Sequence, residues 1–225
     1  ASGSTTVTQC LPGTYNENTG SMSISDCLLA PAGTYVGTTG AATVTECPVG
    51  TYNPNVGSTT VSDCIPASTG TYVDTTGATS ATECPIGTYN PDAGSMSISD
   101  CLPAPAGTYV STTGATSATD CIAGTYNPNT GSTSANAWLL APAGTFVGTT
   151  GSTAPTECLT GTYNPNKGST SSSACLPAPA GTFVGTPGSA TAVIVPPAPT
   201  WTRPGPQRRP TILRAPSALF PVQRL

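Results

Sequence analysis

The chain has 225 residues, of which 7% are charged and 6% aromatic, so it contains little material for one large core. Histidine, the commonest general base and metal ligand, is absent, and Lys167 is the single lysine, a composition that argues against an enzyme. Ten acidic residues outnumber six basic ones, and every arginine lies near the C-terminus, so the acidic body argues against nucleic-acid binding. No apolar run approaches the roughly 20 residues that span a bilayer.

In chain order the sequence is dominated by a repeat of 37 residues. Cysteines are separated by 17 and 20 residues in alternation, and the one longer gap falls where Trp138 occupies a cysteine position. The register has no insertion or deletion, which indicates that each unit meets its neighbour in the same way, as in solenoids. A partial repeat covers residues 1–9. The complete units span residues 10–46, 47–83, 84–120, 121–157 and 158–194.

Each unit consists of two halves, an A half such as residues 84–101 and a B half such as residues 104–121. The A half contains Y-N-P-x-x-G-S, which predicts a turn that Asn-Pro opens and Gly closes. The B half contains T-Y-V, a T-T-G turn and A-T-x-A-T, which predicts a short β-hairpin. The predicted fold is therefore a small, disulfide-rich, solenoid-like rod of β-hairpins and turns with almost no helix.

The repeat ends at residue 194, and residues 195–225 form a divergent tail rich in proline and arginine. Val195 occupies the position where the next cysteine is expected. Two explanations stay open. A frameshift within a longer array would account for the change, because a shifted reading frame across residues 192–195 can spell Ser-Asp-Cys. A genuine Pro/Arg-rich extension is the alternative.

Three segments hold glycine, an aromatic residue and cysteine at fixed offsets: CPVGTYNP at 47–54, CPIGTYNP at 84–91 and CLPAPAGTY at 101–109. They resemble the cysteine-rich repeats of ephrin-receptor-like extracellular regions, which usually read C-x-x-C-P-x-G-T-Y. The resemblance covers roughly residues 1–194 and implies a rod-like stalk or ectodomain outside the cell, with no catalytic activity. This chain departs from the pattern because alanine replaces the second cysteine at Ala30, Ala67, Ala104, Ala141 and Ala178.

What remains of the family pattern implies disulfides within the A halves. The implied pairs are Cys10 with Cys27, Cys47 with Cys64, Cys84 with Cys101, and Cys158 with Cys175. Cys121 is then unpaired, opposite Trp138. The opposite pairing, which begins with Cys27 and Cys47, would leave three cysteines unpaired, and the sequence alone leaves the connectivity open. Regular cysteines in a chain so poor in core residues indicate an oxidising compartment, so we expect an extracellular or cell-surface location.

One aromatic residue recurs at a fixed position in every half, directly after Gly-Thr. We expect this ladder to form a small core by packing on the proline or disulfide of the next half, and a surface for sugars or a partner is the alternative. The ladder consists of Tyr15, Tyr35, Tyr52, Tyr72, Tyr89, Tyr109, Tyr126, Phe146, Tyr163 and Phe183.

An acidic residue precedes most cysteine positions: Asp26, Glu46, Asp63, Glu83, Asp100, Asp120 and Glu157. Calcium takes six to eight oxygen ligands, so recurring carboxylates allow a calcium hypothesis. Only one carboxylate recurs in each half, which favours capping of turn amides instead. No other cofactor and no catalytic or metal site is expected.

Serine and threonine are dense in the turns, and no Asn-x-Ser/Thr sequon with an acceptable middle residue occurs. We therefore expect O-linked glycans, with bare hydroxyls as the alternative. The candidate positions are Thr38, Thr39, Thr75, Thr76, Thr112, Thr113, Thr149, Thr150, Ser171 and Ser172.

These features together predict a non-enzymatic structural protein of an extracellular fibre or surface appendage. Its partners would be further copies of itself and covalent glycans, because identical repeats favour open-ended assembly. A receptor or adhesin stalk is the alternative. Neither nucleic-acid binding nor a membrane span is expected.

Overall fold

A computed structural model describes residues 7–197. Within these residues the backbone forms ten two-stranded antiparallel sheets, one in each half-repeat, and five single-turn 3₁₀ helices. The predicted small, disulfide-rich fold of hairpins with almost no helix is confirmed. Residues 1–6 of the partial repeat and 198–225 of the tail lie outside the described residues, so the two explanations of the tail stay hypotheses.

In the A halves, the Thr-aromatic strand pairs with the two residues that follow the second cysteine position. The sequence predicted only a turn here, and the A half extends two residues further than expected, to 84–103 in the third repeat. The pairs are Thr14–Tyr15 with Leu28–Leu29, Thr51–Tyr52 with Ile65–Pro66, Thr88–Tyr89 with Leu102–Pro103, Thr125–Tyr126 with Leu139–Leu140, and Thr162–Tyr163 with Leu176–Pro177.

In the B halves, the Thr-aromatic strand pairs with the two residues before the next cysteine position, which is the hairpin that the sequence predicts. The pairs are Thr34–Tyr35 with Thr45–Glu46, Thr71–Tyr72 with Thr82–Glu83, Thr108–Tyr109 with Thr119–Asp120, Thr145–Phe146 with Thr156–Glu157, and Thr182–Phe183 with Val193–Ile194. The last pair ends the fifth repeat at residue 194.

A 3₁₀ helix lies inside each A half, shortly before the second cysteine position. The five helices are Ile24–Asp26, Val61–Asp63, Ile98–Asp100, Ala135–Ala137 and Ser172–Ala174. In the first three, a hydroxyl residue and an aspartate form a capping box, which satisfies amide groups at the helix start. None of the helices in the described part of the chain is long and apolar enough to cross a membrane.

Each half is joined to the next by three backbone hydrogen bonds at the same positions throughout the five units. Between the third A and B halves, three backbone N–H groups donate to carbonyl oxygens: Gly87 to Val110, Asn90 to Ala115 and Gly114 to Cys84. Each N···O distance is 2.9 Å. At the following junction they donate from Gly107 to Asn127, from Val110 to Ser132 and from Gly131 to Ala104. Two-residue sheets are marginal alone, and these junctions supply the missing backbone partners.

Halves of the same kind also touch across the stack. A Cβ atom added to Gly87 would lie 2.8 Å from the carbonyl oxygen of Gly131, in the next A half. One added to Gly107 would lie 2.1 Å from the carbonyl oxygen of Gly151, in the next B half. The A halves therefore form one row along the stack, the A row, and the B halves form a second row, the B row.

Replacing Gly107 by alanine is expected to lower the free energy of unfolding by about 3 kcal/mol or more. Gly107 has a φ of 86°, and its added methyl group would collide with backbone that cannot rotate away. Gly94→Ala is the matched control, because Gly94 has a φ of 74° but nothing lies within 4 Å of its added Cβ. That control should lose only about 1–2 kcal/mol. Urea unfolding of both variants measures the difference, and equal losses would contradict close contact between B halves.

Candidate functional site: the junctions and the two rows

A buried asparagine lies at the centre of each A half from the second repeat onward. Asn53, Asn90, Asn127 and Asn164 are at most 1% exposed. In Asn127, Nδ2 donates to the carbonyl oxygen of Thr108 in the preceding B half at 3.0 Å and to Ser132 Oγ at 2.8 Å. Its Oδ1 accepts from the amide of Asn129 at 3.1 Å. The amide side chain therefore holds its own turn together and also binds the neighbouring half.

The other fully buried side chains are small. The valine after each B-half aromatic residue is buried, for example Val110 at 3% and Val147 at 2% exposure. The alanine that replaces the family's second cysteine is 0% exposed in the first four repeats, and in the third its carbonyl oxygen accepts from Gly131 N–H. Ala178, in the fifth repeat, is followed by no further A half within the described residues and is only half-buried. Burial of this position therefore depends on the next A half.

The structure contains four disulfides, in the same pairs that the family resemblance implies. Each bridge spans 17 residues and joins Cα atoms 5.6–5.7 Å apart. A loop of this length contributes about 3 kcal/mol to stability in the chain-entropy account. The bridges close the A halves only, so the B halves rely on hydrogen bonds to their neighbours.

The aromatic ladder is mostly half-buried, with Tyr72 buried and Phe183, in the last half, 47% exposed. Tyr72 clusters with Cys84 and Cys101, so a B-half ring packs on the disulfide of the next A half. One repeat further on, the same contact is made by Tyr109 against Trp138. These contacts fit the small core expected for the ladder, but asparagine, valine and alanine are more deeply buried than the rings.

Trp138 replaces a half-cystine in the fourth A half. Its indole ring lies edge-on to Tyr109, with ring centroids 5.3 Å apart and planes at 70°. The Trp138 Nε1 atom is buried and has no hydrogen-bond partner among the described residues. Cys121 is free and buried, and burial, with a smaller contribution from the Asp120 charge, raises the pKa of its thiol. The A half of the fourth repeat is therefore the one A half among the described residues that has no disulfide.

The carboxylates that precede the cysteine positions are used in two ways. In the A halves they cap the 3₁₀ helices: Asp63 Oδ2 accepts from the amides of Thr59 and Thr60 at 2.9 Å. The hydrogen bonds donated by the Thr60 amide, with the larger effect, and by the Thr59 amide lower the pKa of Asp63. The stability that these bonds contribute is therefore lost only as the pH falls through that lowered pKa. Within residues 7–197 no group of three or more acidic or cysteine side chains is close enough to hold a metal ion.

In the B row, carboxylates contact the turn of the next B half. Glu46 accepts from the hydroxyl of Thr76, and Glu83 accepts from that of Thr113. Asp120 and Glu157 lie against the equivalent turn glycines, Gly151 and Gly188. These contacts form a line of acidic side chains along the B row.

All ten candidate glycosylation positions are exposed. Eight of them lie in the T-T-G turns of the B row, and Ser171 and Ser172 lie in the last A half. The threonine of each Gly-Thr-aromatic motif is different, because its hydroxyl donates to a carbonyl oxygen three residues earlier, as Thr108 does to Pro105. The structure thus separates hydroxyl groups that hold turns from those that face solvent.

The A row exposes an aliphatic side chain at one fixed position of every repeat. The residue after each second cysteine position is aliphatic in every repeat and lies at the surface. We call this set the apolar stripe: Leu28, Ile65, Leu102, Leu139 and Leu176, which are 41–49% exposed. The sequence analysis did not identify this set or the buried asparagines. A signal for both sets is present in the 37-residue alignment, where one position is always asparagine and the other is always leucine or isoleucine.

Comparison with known families agrees with this geometry. The profile of the family described as tyrosine-protein kinase ephrin type A/B receptor-like matches residues 33–84, 58–101 and 70–121, and each window ends on a cysteine. Residues 33–121 are therefore similar to ephrin-receptor-like repeats. No curated protein matches the chain. The ephrin-receptor-like windows run through the same junctions as the rest of the stack, so the chain is a cysteine-rich, disulfide-bonded tandem-repeat protein.

Proposed function

We propose that the chain is an extracellular structural protein whose stacked repeats build a fibre or surface appendage. The observation that carries this proposal is the junction between halves, which uses the same three backbone hydrogen bonds throughout the five units. A stack with one repeated junction can be lengthened by adding units without any new kind of contact. A protein that extends or spaces other components needs that property, whereas a catalyst needs one unique site.

An extracellular location is supported by the disulfides and by the ephrin-receptor-like repeats. Four bridges in so small a core are typical of domains that fold in oxidising compartments. Each A-half bridge is needed because the buried side chains are small, and a reducing environment would remove about 3 kcal/mol per bridge.

O-linked glycans are the second part of the proposal. The T-T-G turns project from the B row, and their threonines are exposed. Glycans there would add hydrated bulk to a chain with only 7% charged residues, which has little other protection against association. Thr76 and Thr113 are held by carboxylates, so the first threonine of each turn, such as Thr75 or Thr112, is the freer acceptor.

Mass spectrometry of native, unreduced material tests this proposal. We expect a heterogeneous excess over the 22.2 kDa polypeptide. Trypsin finds few sites, so cleavage after glutamate is better, and it places Thr75 and Thr112 in separate peptides that end at Glu83 and Glu157. The excess should map to the T-T-G turns, while Thr71 and Thr108, whose hydroxyls hold turns, serve as internal controls.

A bare mass would contradict the glycan-coated fibre and favour the second candidate, a receptor or adhesin stalk. That candidate is supported by the family description, which names a receptor-like repeat. In it, the stack would present or bind a ligand instead of assembling with itself.

A further inference from the structure

We propose that the apolar stripe of the A row is a lateral contact surface for a second copy of this chain. This inference rests on the proposed fibre function and names the surface that would join its strands. The stripe is built from the residue that follows the second cysteine position, and that residue is leucine or isoleucine in every repeat. Surface aliphatic residues are ordinary when scattered, but contiguous exposed apolar rows mark interaction sites.

Successive A halves are in contact beside the stripe. A Cβ atom on Gly57 would lie 3.1 Å from Leu29 Cδ2 of the preceding A half, and one on Gly50 would lie 3.1 Å from Met96 Cγ of the following one. Two hydrogen-bonded junctions separate equivalent A-half positions, so from strand spacing we expect stripe residues to recur at roughly 10 Å along the row. Gaps of that size are wide enough to receive an aliphatic side chain from a facing row.

The periodicity identifies the occupant. A partner that fills every gap must present aliphatic groups at the same spacing over several units, and a second copy of the repeat has that spacing by construction. Isologous contact of the same patch on both partners is the commonest way for identical chains to associate. Each added repeat contributes another pair of contacts, so the association strengthens with array length.

Backbone chemistry favours side-chain packing of A row on A row over strand addition. Strand addition at the A row is disfavoured, because proline follows the stripe residue in three repeats, as Pro66 follows Ile65, and proline offers no N–H donor. The hydroxyl-rich turns of the B row would remain free for glycans.

The test is the concentration dependence of the mass of the full chain, with its disulfides formed, by sedimentation equilibrium. The stripe variant carries Ile65→Thr, Leu102→Thr and Leu139→Thr. The matched control carries Leu11→Thr, Ile122→Thr and Leu159→Thr, which are exposed aliphatic residues at a position where the other two repeats hold proline. We expect the wild type and the control to associate alike and the stripe variant to associate at least 10-fold more weakly. Unchanged thermal unfolding of the monomer shows that the variant is folded.

Equal association of the stripe variant and the wild type would overturn the stripe assignment and leave the fibre proposal standing. A wild-type chain that stays monomeric at every concentration would overturn the second-copy assignment, leave the stripe to an unlike partner, and count against the fibre itself. The two failures are therefore distinguishable in one set of runs.

Discussion

Replacing Trp138 by cysteine is expected to close a fifth disulfide with Cys121 and raise the free energy of unfolding by about 3 kcal/mol. At residue 138 the amide hydrogen bond and φ match those of the bridged repeats, and ψ is 135° where the bridged half-cystines have 97–118°. Trp138 N–H donates to Ala135 at 3.1 Å, as Cys101 N–H does to Ile98, and its φ of −76° compares with −78° at Cys101. Cys121 is unpaired and buried at the equivalent position to Cys84.

The change also removes the contact of Trp138 with Tyr109, which is worth about 0.5–1.5 kcal/mol, and it removes a buried indole N–H that lacks a partner. These two effects oppose each other and are of similar size, so the net gain should remain about 3 kcal/mol. Denaturant unfolding measures the gain, and a thiol assay should fall from one free thiol to none. Trp138→Ser is the control, since it removes the indole ring without adding a bridge. A variant that keeps two free thiols would show that the fourth A half differs in shape from the others.

The sequence predicted a tandem repeat and the hairpins of the B halves because each of these leaves a pattern in the sequence itself. The T-T-G turn has β-favouring residues on both sides, so the hairpin of residues 104–120 is readable from one repeat alone. The strand pair of the A half cannot be read from one repeat. Leu102 and Pro103 pair with residues across the disulfide loop, and they show no alternation of apolar and polar residues. The resemblance to a known repeat supplied the cysteine pairs, which spacing by itself leaves open.

The buried asparagines and the two rows could not be read from one repeat. Asn-Pro is a strong turn signal, and nothing local distinguishes an exposed asparagine from one whose side chain reaches the preceding half. Asn90 binds Thr71, which lies 19 residues earlier in the chain, and that contact exists only in the stack. The apolar stripe is hidden for the same reason, since Leu102 and Leu139 become neighbours only when A halves lie in a row.

Replacing Asn90 by aspartate is expected to lower the free energy of unfolding by more than about 3 kcal/mol at neutral pH. Asn90 is 1% exposed, and its Nδ2 donates to Thr71 O at 3.1 Å and to Ser95 Oγ at 2.8 Å. A carboxylate has no N–H groups to replace these donors and would bring a negative charge against the Thr71 carbonyl oxygen. Equilibrium unfolding in urea measures the loss.

Asn16→Asp is the matched control for the buried site. Asn16 occupies the same position in the first A half, but it is only half-buried, and its Nδ2 donates only to Ser21 Oγ within the described residues. The control should lose about 1 kcal/mol, the typical net worth of one hydrogen bond. Equal losses at the two positions would show that the asparagine only shapes its own turn and does not bind the preceding half.

The pH dependence separates the cost of a buried charge from the cost of losing the Asn90 hydrogen-bond donors. Burial would raise the pKa of an aspartate at position 90 above its unfolded value of about 3.9. Below that value the carboxyl is protonated in both states, and the uncharged group costs less to bury. The penalty therefore appears as the pH rises above about 4 and grows until the pH passes the folded-state pKa. A penalty that is the same at pH 3 and pH 7 would assign the loss to the missing N–H donors of Asn90 and not to a buried charge, because asparagine and aspartate have nearly the same shape.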